Sequence, residues 1–178
     1  MSETVKFDEE FRRIIISGEI TEETSAEILL YFLELEKQNL EIDLIFCASP
    51  GGCWEHGLGL VELISNSKCY INGYSIGTVS STSAMMFLAC DYRCMSPRAS
   101  LMFHNGSLSL SDTYKEVINY VELAKNELKK DYKYLSDRSN RPPKFWAETL
   151  DKGDFYVDSA KALELKLIEA VRLPSEGE

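Results

Sequence analysis

Strand-like and helix-like segments alternate along this chain of 178 residues, and no other feature restricts its fold as strongly. Short runs of β-branched or apolar residues at 13–17, 42–47 and 69–73 are each followed by a segment with apolar residues at helical spacing. A helix that joins two neighbouring strands makes them parallel and lies on a face of their sheet. The alternation therefore predicts an α/β fold with a parallel sheet, and the length fits a single domain over 1–178.

A long polar segment over 112–139 departs from this alternation. Its apolar residues form one narrow stripe, which is typical of an amphipathic helix. The stripe consists of Val117, Val121, Ala124, Leu128 and Leu135. We expect this helix over 112–139 to be an excursion from the sheet core. Residues 1–12 are expected to form a short segment ahead of the first strand.

Composition and charge exclude several classes of protein. Acidic residues outnumber Lys and Arg by 29 to 19, so the net charge is −10. Nucleic acids and anionic membranes require a basic surface, which makes both unsuitable partners. No apolar run approaches the roughly 18 residues of a membrane span, and the acidic first residues are unlike a secretory signal. We therefore expect a soluble, cytoplasmic protein.

The cysteines and histidines predict neither a disulfide framework nor a metal site. The number of cysteines is odd and none forms a C-x-x-C pair, so packing thiols that stay reduced are expected. These cysteines are Cys47, Cys53, Cys69, Cys90 and Cys94. The two histidines, His56 and His104, have no second histidine at metal-ligand spacing. Nothing in the sequence calls for a cofactor.

Two segments of small residues are candidates for a chemical role. Ser-Pro-Gly-Gly at 49–52 stands between a strand and a helix, where exposed backbone N–H groups favour negative charge. Taken alone, it is equally compatible with a plain strand-to-helix turn. The second segment places Ser80, Ser81 and Ser83 near the start of an apolar helix predicted over 78–90. A serine at that place is suited to nucleophilic attack, but also to capping the helix.

Two further residues are candidates for proton transfer. His104 ends the apolar strand SLMF and is suited to act as a general base, although a hydrogen-bonded core histidine fits the same place. Asp154 follows Gly153 in a turn, where an ordinary turn or capping aspartate is the alternative. His56, close after the glycine pair, is expected to be a surface or helix-packing residue.

Four stretches together resemble the proteolytic subunit of the Clp protease. They are ASPGGCWEHGLGLVELI, GTVSSTSAMMFLA, LMFHNG and GDFYVDSAKALELKLIEAV, which are similar to the family's INSPGG, GQAASMGAFLL, MIHQP and RDRFLSAEEAVEYGLVD segments. The similarity runs from about residue 13 to residue 171. It implies the crotonase-like spiral of βαβ units, with the region of about 104–139 as a protruding handle helix.

The same resemblance implies a site and an activity. Ser81 would be the nucleophile, His104 the general base, and Asp154 the residue that orients the base. The backbone N–H groups of Gly52 and Thr82 would form the oxyanion hole. The implied protein is a serine endopeptidase that hydrolyses unfolded polypeptides inside two stacked heptameric rings. No cofactor is implied, because ATP would be used only by a partner Clp ATPase that unfolds the substrate.

Other functions of this fold stay open, and the sequence departs from the family pattern in places. The alternatives are an ATPase-independent protease that processes a capsid or scaffold protein, a non-catalytic ring subunit, and an acyl-CoA hydratase-like relative. Ser80 and Ser83 flank the implied nucleophile where the family has small apolar residues or glycine. Gly106 replaces a proline of the family, and Gly153 replaces an arginine.

Overall fold

The computed structural model describes residues 4–107, 109 and 111–172, and in this part of the chain strands and helices alternate as expected. The helices are α1 (Glu22–Glu36), α2 (Trp54–Ser65), α3 (Ser81–Ala89), α4 (Tyr114–Asp137), α5 (Pro143–Leu150) and α6 (Ser159–Glu164). The strands are β1 (Val5–Asp8), β2 (Arg13–Ile16), β3 (Glu19–Ile20), β4 (Ile42–Cys47), β5 (Gly51–Gly52), β6 (Ile71–Ile76), β7 (Thr78–Ser80), β8 (Tyr92–Met95), β9 (Ser100–Phe103), β10 (Phe155–Asp158) and β11 (Ala170–Val171).

Six strands form the central sheet in the order β1-β2-β4-β6-β8-β11. The pairs from β2 to β11 are parallel, which confirms the predicted sheet, whereas β1 pairs antiparallel with β2 at the edge. β1 lies inside the 1–12 segment, where no strand was predicted. β6 runs over Ile71–Ile76 rather than 69–73, because its pairing with β4 continues as far as Cys47↔Ile76.

The central sheet buries one face under helices. In β4 and β6 every second side chain is buried, and the side chains between them are half-buried. α1 packs on β1 and β2, and α3 packs on β4 and β6. Phe46 of β4 meets Phe87 of α3 edge-on, with ring centroids 5.9 Å apart, and both rings are fully buried. This packing fixes α3, and therefore the serines at its start, against the sheet.

The segment 78–90 contains a strand before its helix, which corrects the expectation of one continuous helix. Thr78–Ser80 form β7 and pair in parallel with β9, so α3 begins only at Ser81. The β-branched Thr78 and Val79 favour an extended backbone, and Val79 is fully buried. The junction between strand and helix therefore falls between Ser80 and Ser81.

The remaining strands form two smaller sheets. One contains β10, β9 and β7, and the other pairs β3 with β5. The second of these places Gly51 opposite Glu19 and Gly52 opposite Ile20 in parallel register. The glycine pair is thus part of a short ladder rather than of an irregular turn.

The chain divides into two compact units, which are described separately. The first contains the residues up to Met102 and those from Tyr156 onward, with the central sheet, α1, α2, α3 and α6. The second unit, Phe103–Phe155, contains α4 and α5. The handle region expected over about 104–139 lies in this second unit. That the whole chain behaves as a single domain stays a prediction.

The long helix of the second unit is α4, which is capped by the side chain of Thr113. Of the predicted apolar stripe Leu135 is buried, while its other members are half-buried. Large apolar side chains next to the stripe are exposed, namely Tyr114, Ile118, Tyr120 and Leu123. In the ranges that the structure describes, no helix is both long and apolar enough to cross a membrane.

Candidate active site

Ser81 occupies the junction between β7 and α3 in a strained backbone conformation. Its φ is +55°, in the left-handed region that serine rarely adopts, whereas the φ of Ser80 is −127°. A sharp strand-to-helix turn of this kind holds the nucleophilic serine in many hydrolases. The backbone of Ser81 is therefore the conformation expected for a nucleophile.

The two serines beside Ser81 are engaged in other contacts. The N–H of Ser80 donates to the carbonyl oxygen of Ser49 at 2.9 Å, and Ser80 is 7% exposed. Ser83 is fully buried, and its Oγ lies 2.7 Å from the Oγ of Ser49. Capping of α3 by Ser80, the alternative raised from the sequence, is not observed, because its side chain makes no capping hydrogen bond.

The glycine pair runs directly beside Ser81. A Cβ atom at Gly51, where φ is +89°, would lie 2.7 Å from Cβ of Ser81 and 3.0 Å from N of Thr82. A Cβ atom at Gly52 would lie only 2.3 Å from the carbonyl oxygen of Ile20. Both positions therefore require glycine. The missing side chain at Gly51 keeps the space beside the Thr82 N–H open.

The N–H groups of this region are suited to bind an oxyanion. The N–H of Cys53 donates to the carbonyl oxygen of Ile20 at 2.8 Å. α2 and α3 begin at the N-cap residues Cys53 and Ser80 without a side-chain capping bond. The first N–H groups of both helices, including that of Thr82, lack such a cap.

The second unit brings His104 and Asp154 together. His104 directly follows β9, and Asp154 directly precedes β10. The Nδ1 of His104 lies 3.9 Å from Oδ1 of Asp154, which is within ion-pair range but too long for a hydrogen bond. A carboxylate on the Nδ1 side leaves Nε2 as the atom that can take up a proton.

Aromatic rings hold the chain around this pair. Phe103 precedes His104, Phe155 follows Asp154, and both rings lie edge-on to Trp146 with centroids 5.6 Å and 6.1 Å away. Trp146 is fully buried. It therefore packs against a neighbour of each member of the pair. No pattern in the sequence points to Trp146, because a single tryptophan in a short helix carries no periodic signal.

Asn105, the residue after His104, belongs to a polar network. The hydroxyl of Tyr132 donates to Oδ1 of Asn105 at 2.9 Å, and Nδ2 of Asn105 donates to Oδ1 of Asp151 at 3.2 Å. Burial raises the pKa of Tyr132, and the charge of Asp151 raises it further. Tyr132 thus keeps the proton that it donates, and α4 is tied to the residue after His104.

The Clp protease family model matches residues 4–174 of this chain. The chain belongs to the Clp protease family. It is 27% identical over 168 residues to the ATP-dependent Clp protease proteolytic subunit 1 of Prochlorococcus marinus (strain NATL2A), covering 89% of this chain and 83% of the relative. It is 28% identical over 165 residues to subunit 2 of Chlamydia pneumoniae, covering 90% of this chain and 80% of that relative.

Solved structures show the same fold. A mutant of ClpP1 from Listeria monocytogenes superposes with a TM-score of 0.81 at 20% identity, covering 90% of this chain and 91% of that chain. The predicted fold class, the α/β fold of Clp proteases, is confirmed. The predicted activity class, a Clp-type serine peptidase, is confirmed by the family. Which residues perform the reaction stays a prediction.

Two departures from the Clp protease pattern have a conformational cause. Gly106 has φ of +74°, which a proline cannot adopt because its ring holds φ near −65°. Gly153 has φ of +125°, which disfavours the arginine of the family. At both positions a Cβ atom would meet nothing within 4 Å, so backbone conformation rather than space selects glycine.

The remaining candidates from the sequence are His56 and the five cysteines. His56 lies half-buried in α2. Cys69, Cys90 and Cys94 are buried, as expected, and Cys47 is half-buried. Cys53 is exposed, which corrects the expectation that the cysteines are packing residues. Among the residues that the structure describes, no group of three or more His, Cys, Asp or Glu side chains is arranged to hold a metal ion.

Proposed function

We propose that this Clp protease is an endopeptidase in which Ser81 is the nucleophile, His104 the general base and Asp154 the residue that orients it. The observation that carries the proposal is the left-handed backbone of Ser81 at a strand-to-helix turn beside Gly51. Backbone strain of this kind persists where function requires it. The ion-pair distance between His104 and Asp154 supports their roles as base and orienting carboxylate.

The proposed reaction proceeds through an acyl-enzyme. Oγ of Ser81 attacks the carbonyl carbon of the peptide while Nε2 of His104 takes the hydroxyl proton. The N–H groups of Gly52 and Thr82 donate to the oxyanion that forms, and loss of one such donor costs about 2.7–4 kcal/mol in a comparable protease. The imidazolium then protonates the leaving amine. Water, deprotonated by the same imidazole, hydrolyses the ester and restores Ser81.

Asp154 acts through the imidazole in this scheme. Its carboxylate holds the tautomer with the proton on Nδ1 and stabilises the imidazolium. We expect the separation of 3.9 Å to shorten to a hydrogen bond when His104 becomes charged, since catalytic hydrogen bonds tighten in the substrate complex.

The substrates we propose are unfolded polypeptides, cleaved inside a chamber of two stacked heptameric rings. A chain of 178 residues is too small to enclose a chamber alone, so several copies are required. The exposed apolar side chains of α4 support contact with a second copy; Tyr114 is 84% exposed and Leu123 is 52% exposed. Because its relatives are named subunits of ATP-dependent Clp proteases, we propose a Clp ATPase as partner. We place the assembly in the cytoplasm, where the five thiols would stay reduced.

Replacement of the nucleophile tests the proposed triad. Ser81→Ala should lower peptide hydrolysis on the order of a millionfold and abolish labelling by a fluorophosphonate, because no other residue would attack. Ser80→Ala is the matched control, since it removes a neighbouring hydroxyl and keeps the backbone N–H. Mass spectrometry of the labelled peptide identifies the modified serine. Labelling that persists in Ser81→Ala and disappears in Ser80→Ala would contradict the assignment.

A charge placed on α4 tests the stacked rings. Leu123→Asp should halve the native mass while each ring stays intact, because a carboxylate cannot be buried in an apolar contact without a partner. Lys125→Asp introduces the same group on the opposite side of α4 and should leave the mass unchanged. Native mass spectrometry gives both values. A monomeric wild-type protein, or equal masses for the two variants, would refute this contact.

A further inference from the structure

A buried hydrogen-bond cluster joins the residues on both sides of Ser81 to the start of the glycine segment. Its centre is Ser49, which is fully buried. The carbonyl oxygen of Ser49 accepts from the N–H of Ser80 at 2.9 Å, and its Oγ lies 2.7 Å from Oγ of Ser83. One residue thus binds the chain immediately before Ser81 and again two residues after it. We propose that Ser49 and Ser83 are positioning residues that set the spacing of the oxyanion donors.

The direction of the hydrogen bonds follows from the number of protons. The hydroxyl of Ser49 donates its single proton to the carbonyl oxygen of Gly18 at 2.8 Å. The bond between the two hydroxyls must therefore be donated by Ser83. Ser83 therefore donates to Ser49, in the loop before the glycine pair, rather than to a carbonyl oxygen of its own helix. The result is a series of two hydrogen bonds that runs from Ser83 of α3 through Ser49 to Gly18.

These two hydrogen bonds do more than satisfy a buried hydroxyl group. A fully buried hydroxyl costs free energy unless it is hydrogen-bonded, and the contact with Ser49 satisfies the hydroxyl of Ser83. Ser75 provides the comparison within the same unit. It is also fully buried, and in the part of the chain described by the structure its Oγ has no hydrogen-bond partner. Ser83 and Ser75 therefore bury the same chemical group, the first with a hydrogen bond to another segment and the second without one.

The position of the link explains its effect on the reaction. Ser49 stands three residues before Gly52, and Ser83 stands one residue after Thr82. The two proposed oxyanion donors thus lie on the two segments that the Ser49 and Ser83 hydroxyls hold together. If the link is removed, the N–H groups of Gly52 and Thr82 can move apart, and small displacements of such groups lower the rate without lowering substrate affinity.

The test compares buried serine variants, and it rests on the proposed role of Ser81. Ser83→Ala should lower kcat for a peptide substrate and the rate of fluorophosphonate labelling by about tenfold each, with KM unchanged. Ser75→Ala, the matched control, should keep kcat within about twofold of the wild type, because it removes no hydrogen bond. Ser83→Cys, which retains a weak donor, should fall between Ser83→Ala and the wild type.

A double-mutant cycle separates positioning from general loss of stability. Ser49→Ala with Ser83→Ala should be no slower than Ser49→Ala alone, because both substitutions break the same bond. Unchanged kcat in Ser83→Ala, or an equal loss in Ser75→Ala, would overturn the inference. If Ser83→Ala does not fold, the kcat of Ser83→Cys and its labelling rate decide. Full activity of Ser81→Ala would instead refute the proposed nucleophile, so the two failures are distinguishable.

Discussion

The two units of this Clp protease hold their proposed catalytic residues by different kinds of packing. Around Ser81 the contacts are made by small residues, with Gly51 and Gly57 so close to their neighbours that a single methyl group would collide. Around His104 and Asp154 the contacts are made by large rings centred on Trp146. We therefore expect added atoms near Ser81 to disturb the first unit, and removed atoms at Trp146 to disturb the second. The same rule of close packing produces both sensitivities.

The largest effect is expected from removing the central ring of the second unit. Trp146→Ala should lower the free energy of unfolding by about 3–5 kcal/mol, because the ring is fully buried and a cavity would remain. Denaturant unfolding followed by circular dichroism gives this value. Hydrolysis should fall as well, since Phe103 and Phe155 lose the ring that both contact.

Trp54 is the matched control for this loss. It is the other tryptophan of the chain, and it is 38% exposed at the start of α2. Trp54→Ala should cost about 1 kcal/mol or less, as expected for a partly exposed side chain that contributes little to the core. Equal losses for both variants would show that the aromatic cluster is not what holds the second unit.

A smaller effect is expected from adding one methyl group to the first unit. A Cβ atom at Gly57 of α2 would lie 2.6 Å from Cβ of Thr82 at the start of α3. Gly57→Ala should therefore push α2 from α3, at a cost of about 1–3 kcal/mol. Because Thr82 carries a proposed oxyanion donor, kcat should fall about tenfold. Steady-state kinetics and thermal unfolding measure the two effects.

Gly59 supplies the control in the same helix. A Cβ atom there would meet nothing within 4 Å. Gly59→Ala should therefore stabilise the protein by up to about 1 kcal/mol through helix propensity alone, with unchanged kinetics. Opposite signs for the two alanines would sharpen the claim that the first unit is sensitive to atoms added beside Thr82. The same sign for both would break it.

Local periodicity was enough to predict much of the fold. The strand over 42–47 has the bounds that the structure shows, and the long helix expected over 112–139 is α4, Tyr114–Asp137. These elements depend on the spacing of residues that are neighbours in the chain. β7 was missed because its three residues become a strand only by pairing with β9.

The site was predicted less completely, for a related reason. The resemblance pointed to Ser81, His104 and Asp154, but not to the residues that hold them. Ser49 and Ser83 are 34 residues apart in the sequence, and neither alone differs from an ordinary small residue. Their structural role follows from the fold, which places the two hydroxyl oxygens 2.7 Å apart. Supporting contacts of this kind have no local signature that a single sequence can reveal.

The second unit begins at Phe103 and ends at Phe155, so its two boundaries fall next to His104 and Asp154. All of α4 and α5 is inserted between two residues whose side chains lie 3.9 Å apart. The separation of His104 and Asp154 in space therefore depends on where the inserted unit begins and ends, and not on the number of residues that it contains. A sequence search that fixes the interval from histidine to aspartate would overlook relatives with longer or shorter insertions.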